Sequence, residues 1–284
     1  MRFLKETSCL VCQSKDYDVV FSYDEPDPYE LAVGVGGGKY FRKWMQCRSC
    51  GLYYSVYSRN KDVLENIYTS AYRHHDSIWR DASAEVTFRR VVALPEKESE
   101  TKYRVRWIKD NIRNIWESGL LPAKEPPYRM LDIGGSPGVF AYEFQDDKWQ
   151  SYLLDPDENA GFISEIFHIP FRQKKYEPGI FGLAFNLVCA VFLLEHLANP
   201  IDFLTDIKID MGPDAFLYLE VPDAVCFKLK PQEDDIFNSC HLWIFTVPTL
   251  VRLLALGGFE VYSLRRIKTI RGHYSIMVLA GKGK

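Results

Sequence analysis

The segment Met130–Gly138 reads Met-Leu-Asp-Ile-Gly-Gly-Ser-Pro-Gly, and it decides which fold the chain adopts. Its apolar beginning predicts a buried strand, and its glycines predict a tight turn that leads into a helix. Glycines allow the backbone to pass close to a ligand, and the N-terminus of a helix offers unpaired N–H groups. A dinucleotide fingerprint requires Gly-x-Gly-x-x-Gly, which this segment lacks. The turn therefore predicts a ligand site of another kind.

Two acidic residues indicate which ligand this turn suits. Asp132 stands two residues before the first glycine, where its carboxylate would hold a ligand ammonium directly or through water. Asp155 ends the next predicted strand, about 20 residues further on, where an acid suits hydrogen bonding to ribose hydroxyls. An ammonium and a ribose without a pyrophosphate together describe S-adenosylmethionine.

Downstream of Pro126–Pro127, short apolar runs alternate with helical stretches, a pattern that is typical of a parallel α/β sheet. Strands are predicted at 129–133, 151–154, 185–191 and 215–221, followed by a hairpin at 259–267 and 274–280. Helices are predicted near 137–146, 158–166, 200–210 and 247–256. Thr246 is expected to cap the last helix, with Pro248 in its first turn and Gly257-Gly258 at its end.

Two Cys-x-x-Cys pairs, Cys9 with Cys12 and Cys47 with Cys50, flank 34 residues near the start of the chain. Tetrahedral Zn²⁺ takes four thiolates at about 2.3 Å, and each short loop aims two of them at one ion. A bound ion would also close a module that is too small to build its own core. The spacing predicts a zinc-binding module over residues 1–56. The alternative is two unrelated pairs of buried or redox-active cysteines.

The pattern between the two ends of the chain is helical, and it predicts a connector over residues 57–125. Val63–Tyr68 predicts one amphipathic helix, and Tyr103–Trp116 predicts a longer one that ends before Gly119. The pair His74-His75 lies in a polar stretch without a ligand partner at useful spacing, so it is interpreted as surface.

Four motifs in residues 126–284 resemble those of class I S-adenosylmethionine-dependent methyltransferases. They are the first motif Leu131–Gly138, the fourth-strand motif Phe185–Pro200, the fifth-strand motif Leu219–Asp223 and the penultimate-strand motif Gly257–Val261. The resemblance implies an α/β fold with a seven-stranded Rossmann-like sheet and S-adenosylmethionine as the cofactor. It also implies a cofactor site made of Asp132, Gly134, Gly135, Ser136, Gly138, Asp155 and Glu195.

The N-terminal part of the chain resembles the zinc-binding segment that is fused to many sugar and polysaccharide-pathway methyltransferases. The similarity lies in Cys47–Tyr54 and in Ile67-Tyr68. Nucleotide-sugar C-methyltransferases belong to this group, and they carry Tyr-His-Glu-His where this chain has Asn238–His241. They also have a further C-terminal domain that this chain is expected to lack. Two departures concern the class I motifs themselves, because Ser136 replaces the middle glycine of the first motif and Asn186 replaces the usual aspartate of the fourth strand. A sugar or nucleotide-sugar acceptor is implied, with O-methylation and C-methylation both open.

Three residues are candidates for chemistry at the acceptor: His241, His196 and Glu220. A neutral histidine within about 3 Å of an acceptor hydroxyl can take its proton. His241 lies between the fifth strand and the last helix, and it is either a base or orienting group or a structural histidine. His196 is expected to support the site or the fold. Glu220 is expected either to contact the acceptor or to cap a turn.

Composition limits the class of partner. The 284 residues carry a net charge of −3 without a Lys/Arg cluster at the cysteine pairs, and neutralising phosphates requires several cations. A small-molecule sugar methyltransferase is therefore favoured over an RNA methyltransferase and over a non-catalytic, methyltransferase-like binding protein.

Unpaired cysteines and the lack of a signal peptide predict a cytoplasmic protein. Ile180–Leu194 is interpreted as a buried strand, so no membrane insertion is expected, and the oligomeric state stays open.

Overall fold

The structure is a computed structural model, and it describes residues 8–35, 40–57 and 83–283. The predicted helix Val63–Tyr68 and the pair His74-His75 lie outside the described residues. No helix within the three described ranges has both the length and the apolar character needed to cross a membrane.

Strands and helices alternate through most of the described chain. The strands are β1 Tyr17–Tyr23, β2 Arg42–Cys47, β3 Tyr53–Tyr57, β4 Tyr128–Ile133, β5 Trp149–Leu154, β6 Phe171–Arg172, β7 Phe185–Val191, β8 Met211–Pro222, β9 Trp243–Ile244, β10 Phe259–Lys268 and β11 Tyr274–Lys282. The helices are α1 Pro28–Ala32, α2 Ala84–Val92, α3 Glu100–Glu117, α4 Val139–Phe144, α5 Phe162–Phe167, α6 Pro200–Asp210, α7 Cys226–Leu229 and α8 Val247–Leu256.

A seven-stranded mixed sheet forms the centre of the fold, which confirms the predicted Rossmann-like α/β architecture. Its strand order is β6-β5-β4-β7-β8-β11-β10. The strands from β6 to β8 are parallel to one another, and β11 and β10 complete the sheet as an antiparallel hairpin. The chain order reverses between β4 and β7, and open α/β sheets bind their ligands beyond the strand ends at such a point.

The central strands carry mostly apolar side chains, because packed side chains cover both faces of the sheet. Leu131 and Val188 belong to the apolar layer on one face, and Met130 and Leu187 belong to the layer on the other. Helix α3 contributes Ile108 to this second layer, and α6 and α8 cover the opposite face. The long predicted helix therefore packs directly on the sheet.

A second, antiparallel sheet joins the N-terminal region to the later part of the chain. Its order is β1-β2-β3-β9, and Tyr53 of β3 is paired with Ile244 of β9. Trp44, Phe237 and Ile244 share one buried cluster beneath it. The N-terminal region thus completes its sheet with two residues from the range 126–284. The boundaries 1–56, 57–125 and 126–284 stay a prediction.

Most predicted elements coincide with the observed ones, and the differences have local causes. The helices predicted at 200–210 and 247–256 are present, and the Thr246 side chain accepts a hydrogen bond from Thr249 N–H as an N-cap. Helix α4 begins only at Val139, because Gly138 adopts a left-handed conformation with φ +89°. Strand β6 was not predicted, since two residues carry no readable periodicity.

Candidate functional site

The loop Gly134–Gly138 follows β4, and glycine is required at Gly134 and Gly135 as well as at Gly138, whose φ is +89°. Gly134 has a φ of +77°, in the left-handed region. A Cβ atom at Gly135 would lie 1.9 Å from Asp132 Oδ2, so any side chain there would overlap the carboxylate. The loop therefore lies directly against Asp132, as the motif predicts.

Asp132 is buried beneath this loop with an unsatisfied acceptor. Its Oδ2 atom has no hydrogen-bond partner within the described part of the chain. Burial, together with the nearby charge of Asp155, raises the pKa of Asp132 to about 8. An unpaired buried carboxylate is costly, and a cationic ligand group would relieve the cost.

Asp155 holds the loop in its shape. Its Oδ2 accepts the N–H of Ser136 at 3.0 Å, and its Oδ1 accepts the N–H of Asp157 at 2.8 Å. The hydroxyl of Ser136 donates to Asp157 Oδ2 at 2.8 Å. Ser136, which replaces the middle glycine of the motif, therefore adds a second tie between this loop and the end of β5. Asp157 was not singled out by the sequence, although it follows Asp155 by two positions.

Glu195, His196 and His241 come together at the end of the neighbouring strand β7. One carboxylate oxygen and one ring nitrogen from each histidine all lie within 4.8 Å of one another. The ring centroids of the two histidines are 4.8 Å apart, and all three side chains are buried. The structure thus unites both predicted histidines with a residue that was assigned to the cofactor.

Backbone carbonyls fix the orientation of both imidazole rings. His196 Nδ1 lies 2.9 Å from the carbonyl oxygen of Cys240, and His241 Nδ1 lies 2.7 Å from that of Ile236. A carbonyl only accepts, so each Nδ1 carries the proton and each neutral ring has its lone pair on Nε2. Burial lowers the pKa of His241, which favours the neutral ring.

The glycine loop and the histidine cluster are neighbours. A Cβ atom at Gly134 would lie 3.3 Å from a terminal methyl carbon of Leu193, two residues before Glu195. The backbone N–H of Leu242 donates to the carbonyl of Glu195 at 2.8 Å, which joins the segment that follows β8 to the end of β7. A ligand lying on the loop would therefore be close to the cluster.

Glu220 has a structural role that corrects its assignment as an acceptor contact. Its carboxylate accepts two hydrogen bonds from the Arg104 guanidinium, at 2.5 and 2.9 Å. The hydroxyls of Tyr218 and Ser275 donate to the same carboxylate at 2.9 and 2.8 Å. Glu220 is fully buried and satisfied within the protein. No local sequence pattern indicates this ion pair, because 116 positions separate its two members.

The N-terminal region contacts the segment Phe237–His241 that carries the candidate base. Asp27 accepts hydrogen bonds from both the backbone N–H and the hydroxyl of Ser239. The Tyr57 hydroxyl donates to the Ser239 carbonyl at 2.6 Å, and Arg42 donates to the Phe237 carbonyl. None of these contacts could be predicted, since they depend on how β3 pairs with β9.

The four predicted metal ligands of the N-terminal region form one cluster. Cys9 Sγ lies 3.4 Å from Cys50 Sγ, and Cys12 Sγ lies 3.4 Å from Cys47 Sγ. These distances are far longer than a disulfide bond of about 2.05 Å. All four sulfur atoms lie within 4.8 Å of one another, so the set fits a tetrahedral ion with thiolate ligands.

One comparison with known proteins identifies the family of the domain. A family model described as a methyltransferase domain matches residues 101–264, which is more than half of the chain. None of the curated proteins matches the chain.

Similar solved structures include three methyltransferases. The 1,6-didemethyltoxoflavin-N1-methyltransferase of Burkholderia thailandensis is 16% identical, over 67% of this chain and 92% of that chain, with a TM-score of 0.46. Magnesium protoporphyrin IX methyltransferase of Synechocystis is 15% identical, over 69% and 93%, with a TM-score of 0.48. The N-methyltransferase NodS of Bradyrhizobium japonicum is 12% identical, over 72% and 100%, with a TM-score of 0.46.

Proposed function

The chain belongs to the methyltransferase-domain family, and we propose that this enzyme methylates a sugar or nucleotide-sugar, with S-adenosylmethionine as its methyl donor. One observation carries the proposal. A glycine loop lies over the buried, unpaired carboxylate of Asp132, and the buried histidines His196 and His241 lie at the end of the next strand. The first arrangement suits a cationic cofactor, and the second suits proton removal from an acceptor.

The loop Gly134–Gly138 and the acids around it are proposed to hold the cofactor. Asp132 Oδ2 supplies an acceptor for the ligand ammonium, because no group in the described chain uses it. Asp155 fixes the loop through Ser136 N–H, at the end of the strand that pairs with β4. Its position at the end of β5 therefore also suits the ribose hydroxyls.

The protein's tasks at the acceptor are alignment and proton removal. When bound, the cofactor supplies a methyl group that its sulfonium already activates, so positioning provides much of the rate. His241 Nε2 is proposed to accept the proton of an acceptor hydroxyl while the oxygen forms its bond to the methyl carbon. The bond between the methyl carbon and sulfur would break, and its electron pair would stay on sulfur. His241 is suited to this task because its Nδ1–H is fixed by the Ile236 carbonyl.

A sugar acceptor is supported by the N-terminal region. This region resembles the zinc-binding segment of sugar-pathway methyltransferases. In addition, Asp27 and Tyr57 contact the segment that bears His241 directly. The net charge of −3 does not favour an RNA acceptor, which requires several cations for its phosphates.

Zinc at Cys9, Cys12, Cys47 and Cys50 is proposed to be structural. Four thiolates fill a tetrahedral ion and leave no open position for a substrate. The ion would hold the ends of β1 and β2 together, and through β3 and β9 it would stabilise the segment that bears His241. Reduced thiolates of this kind are consistent with the proposed cytoplasmic location.

The test is the transfer of a labelled methyl group from S-adenosylmethionine to a panel of nucleotide-sugars, with free sugars and a structured RNA as parallel acceptors. Label is expected in a sugar acceptor and not in the RNA. His241→Ala should lower turnover by about 10²–10⁴-fold. The exposed His273 provides the matched control, and His273→Ala should retain full turnover. Label in the RNA alone, or in none of the acceptors, would contradict the proposal.

A further inference from the structure

The cluster of Glu195, His196 and His241 has the composition of a metal site as well as that of a proton acceptor. We propose that it binds a divalent transition-metal cation such as Zn²⁺, separate from the ion of the four cysteines. The observation behind this proposal is one carboxylate and two imidazoles, all buried, with candidate ligand atoms within 4.8 Å of one another.

Glu195 provides the first argument. Its side chain is 0% exposed, and neither Oε1 nor Oε2 has a hydrogen-bond partner in the described ranges. A buried carboxylate needs a donor or a cation to replace the water that it has lost. Two unsatisfied oxygens on one buried side chain, beside two histidines, indicate a cation better than they indicate a hydrogen-bond donor.

The histidine rings provide the second argument. Histidines that bind a metal usually donate their other ring N–H to a backbone carbonyl or a carboxylate, which fixes both the tautomer and the ring plane. His196 and His241 each place Nδ1 beside a carbonyl, at 2.9 and 2.7 Å. The lone pair of each neutral ring is therefore on Nε2, and Nε2 is the atom through which each ring would bind an ion.

The ligand set limits the kind of cation and what it can do. Two imidazoles and one carboxylate suit zinc and related transition ions, and they leave a coordination position open. Tetrahedral ligands at about 2.1 Å from one ion lie about 3.4 Å apart, so the three side chains would move closer together on binding. The four cysteines are soft ligands in a closed set, so the two sites differ in kind.

The catalytic consequence rests on the proposed function. An acceptor hydroxyl that occupies the open position would have its pKa lowered by the cation, so that it loses its proton near neutral pH. In the ion-bound protein His241 would be a ligand and not the base of the proposed function, and the proton of the hydroxyl would pass to water. Binding of the ion can be measured without any acceptor.

The experiment titrates the purified protein with Co²⁺ after dialysis against a chelator that leaves the tetracysteine ion in place. The wild-type protein should bind one equivalent, with visible absorption that lacks the thiolate-to-metal charge-transfer band. Glu195→Gln and His241→Ala should weaken this binding by more than the about 10–100-fold that loss of an outer partner costs. Glu117→Gln and His273→Ala change exposed residues and should leave it unchanged.

A parallel titration with S-adenosylhomocysteine separates this inference from the proposed function. Cofactor binding without Co²⁺ binding by the wild-type protein would overturn the metal site and leave the methyltransferase proposal standing. Equal Co²⁺ affinity in wild type and in both cluster variants would also overturn it. Co²⁺ binding without cofactor binding would contradict the proposed function alone. Glu195→Gln is nearly isosteric, and thermal unfolding of each variant checks that it is folded.

Discussion

Asp27 accepts two hydrogen bonds from Ser239, one from its backbone N–H at 2.6 Å and one from its hydroxyl at 2.8 Å. The two residues are 212 positions apart, and Ser239 lies two positions before His241. Arg42 lies 3.6 Å from the same Asp27 carboxylate. Through this contact the N-terminal region supports the segment Phe237–His241, which carries the candidate base.

Asp27→Asn should loosen the segment around Ser239 without affecting the cofactor loop. The substitution removes the charge from two hydrogen bonds, and charge-assisted bonds contribute about 1.5–3 kcal/mol each. Hydrogen exchange at the Ser239 amide should become faster, while the affinity for S-adenosylhomocysteine stays the same. Asp16→Asn is the matched control, because the Asp16 carboxylate pairs with Arg48 at the exposed surface. Unchanged exchange at Ser239 would show that the contact does not hold the segment.

Cys9→Ser should remove one equivalent of zinc and destabilise the four-stranded sheet. Three thiolates hold the ion less well than four, and structural zinc supplies folding free energy to the module around it. Metal content and hydrogen exchange over β2, β3 and β9 are the measurements. Cys226→Ala, at a buried cysteine outside the cluster, should keep the full zinc content. Loss of zinc without faster hydrogen exchange in β9 would show that the ion does not stabilise the segment that bears His241.

Asp132→Asn should change how stability depends on pH. The pKa of Asp132 is raised to about 8 in the folded state, so the folded protein holds this proton more tightly than the unfolded chain. The free energy of unfolding should therefore fall as pH rises from about 4 towards about 8, by at most about 1.4 kcal/mol per pH unit for one proton.

Urea denaturation of the ligand-free protein between pH 5 and pH 8 measures this dependence. Asp132→Asn should flatten the slope and be the more stable protein at pH 7, because its folding requires no proton uptake by a group that is ionised in the unfolded chain. Asp147→Asn, at an exposed aspartate, should keep the wild-type slope. If the free energy of unfolding fell equally steeply with pH in Asp132→Asn and in wild type, the pKa of Asp132 would be the same in the folded and unfolded states.

Arg104→Met should destabilise the fold by about 3–5 kcal/mol, because it leaves the fully buried Glu220 carboxylate without its cation. The double variant Arg104→Met with Glu220→Gln should recover part of this loss. Arg113→Met breaks an exposed pair with Asp110 and should cost less than about 1 kcal/mol. Denaturation of these three variants and of Glu220→Gln alone is the measurement, and additive effects of Arg104→Met and Glu220→Gln would contradict a coupled ion pair.

Local patterns were enough to predict the central sheet and the site loop. The run that ends at Ile133 and the glycines after it fix both the first parallel strand and the ligand turn, since each signal lies within a few residues. Thr246 and Pro248 define the start of α8 in the same way. The cysteine spacing likewise predicts that four thiols from two distant segments share one site. The structure brings their sulfur atoms within 4.8 Å of one another.

Contacts between distant segments could not be predicted in the same way. Arg104 and Glu220 are separated by 116 positions, and nothing in either neighbourhood identifies the partner. The pairing of β3 with β9 depends on a two-residue strand, which carries no periodic signal. The position of Glu195 in a motif at a strand end predicts a cofactor contact. Its closeness to both histidines depends on how distant segments pack in the folded chain.

The central claim is that the loop over Asp132 binds S-adenosylmethionine, and calorimetric titration with S-adenosylhomocysteine tests it most directly. The wild-type protein should bind one equivalent. Gly135→Ala should abolish binding, because its Cβ would lie 1.9 Å from Asp132 Oδ2. Gly212→Ala, whose Cβ would meet only ordinary contacts from 3.4 Å, should bind like wild type. No binding by the wild type, or equal affinity in Gly135→Ala, would contradict the account.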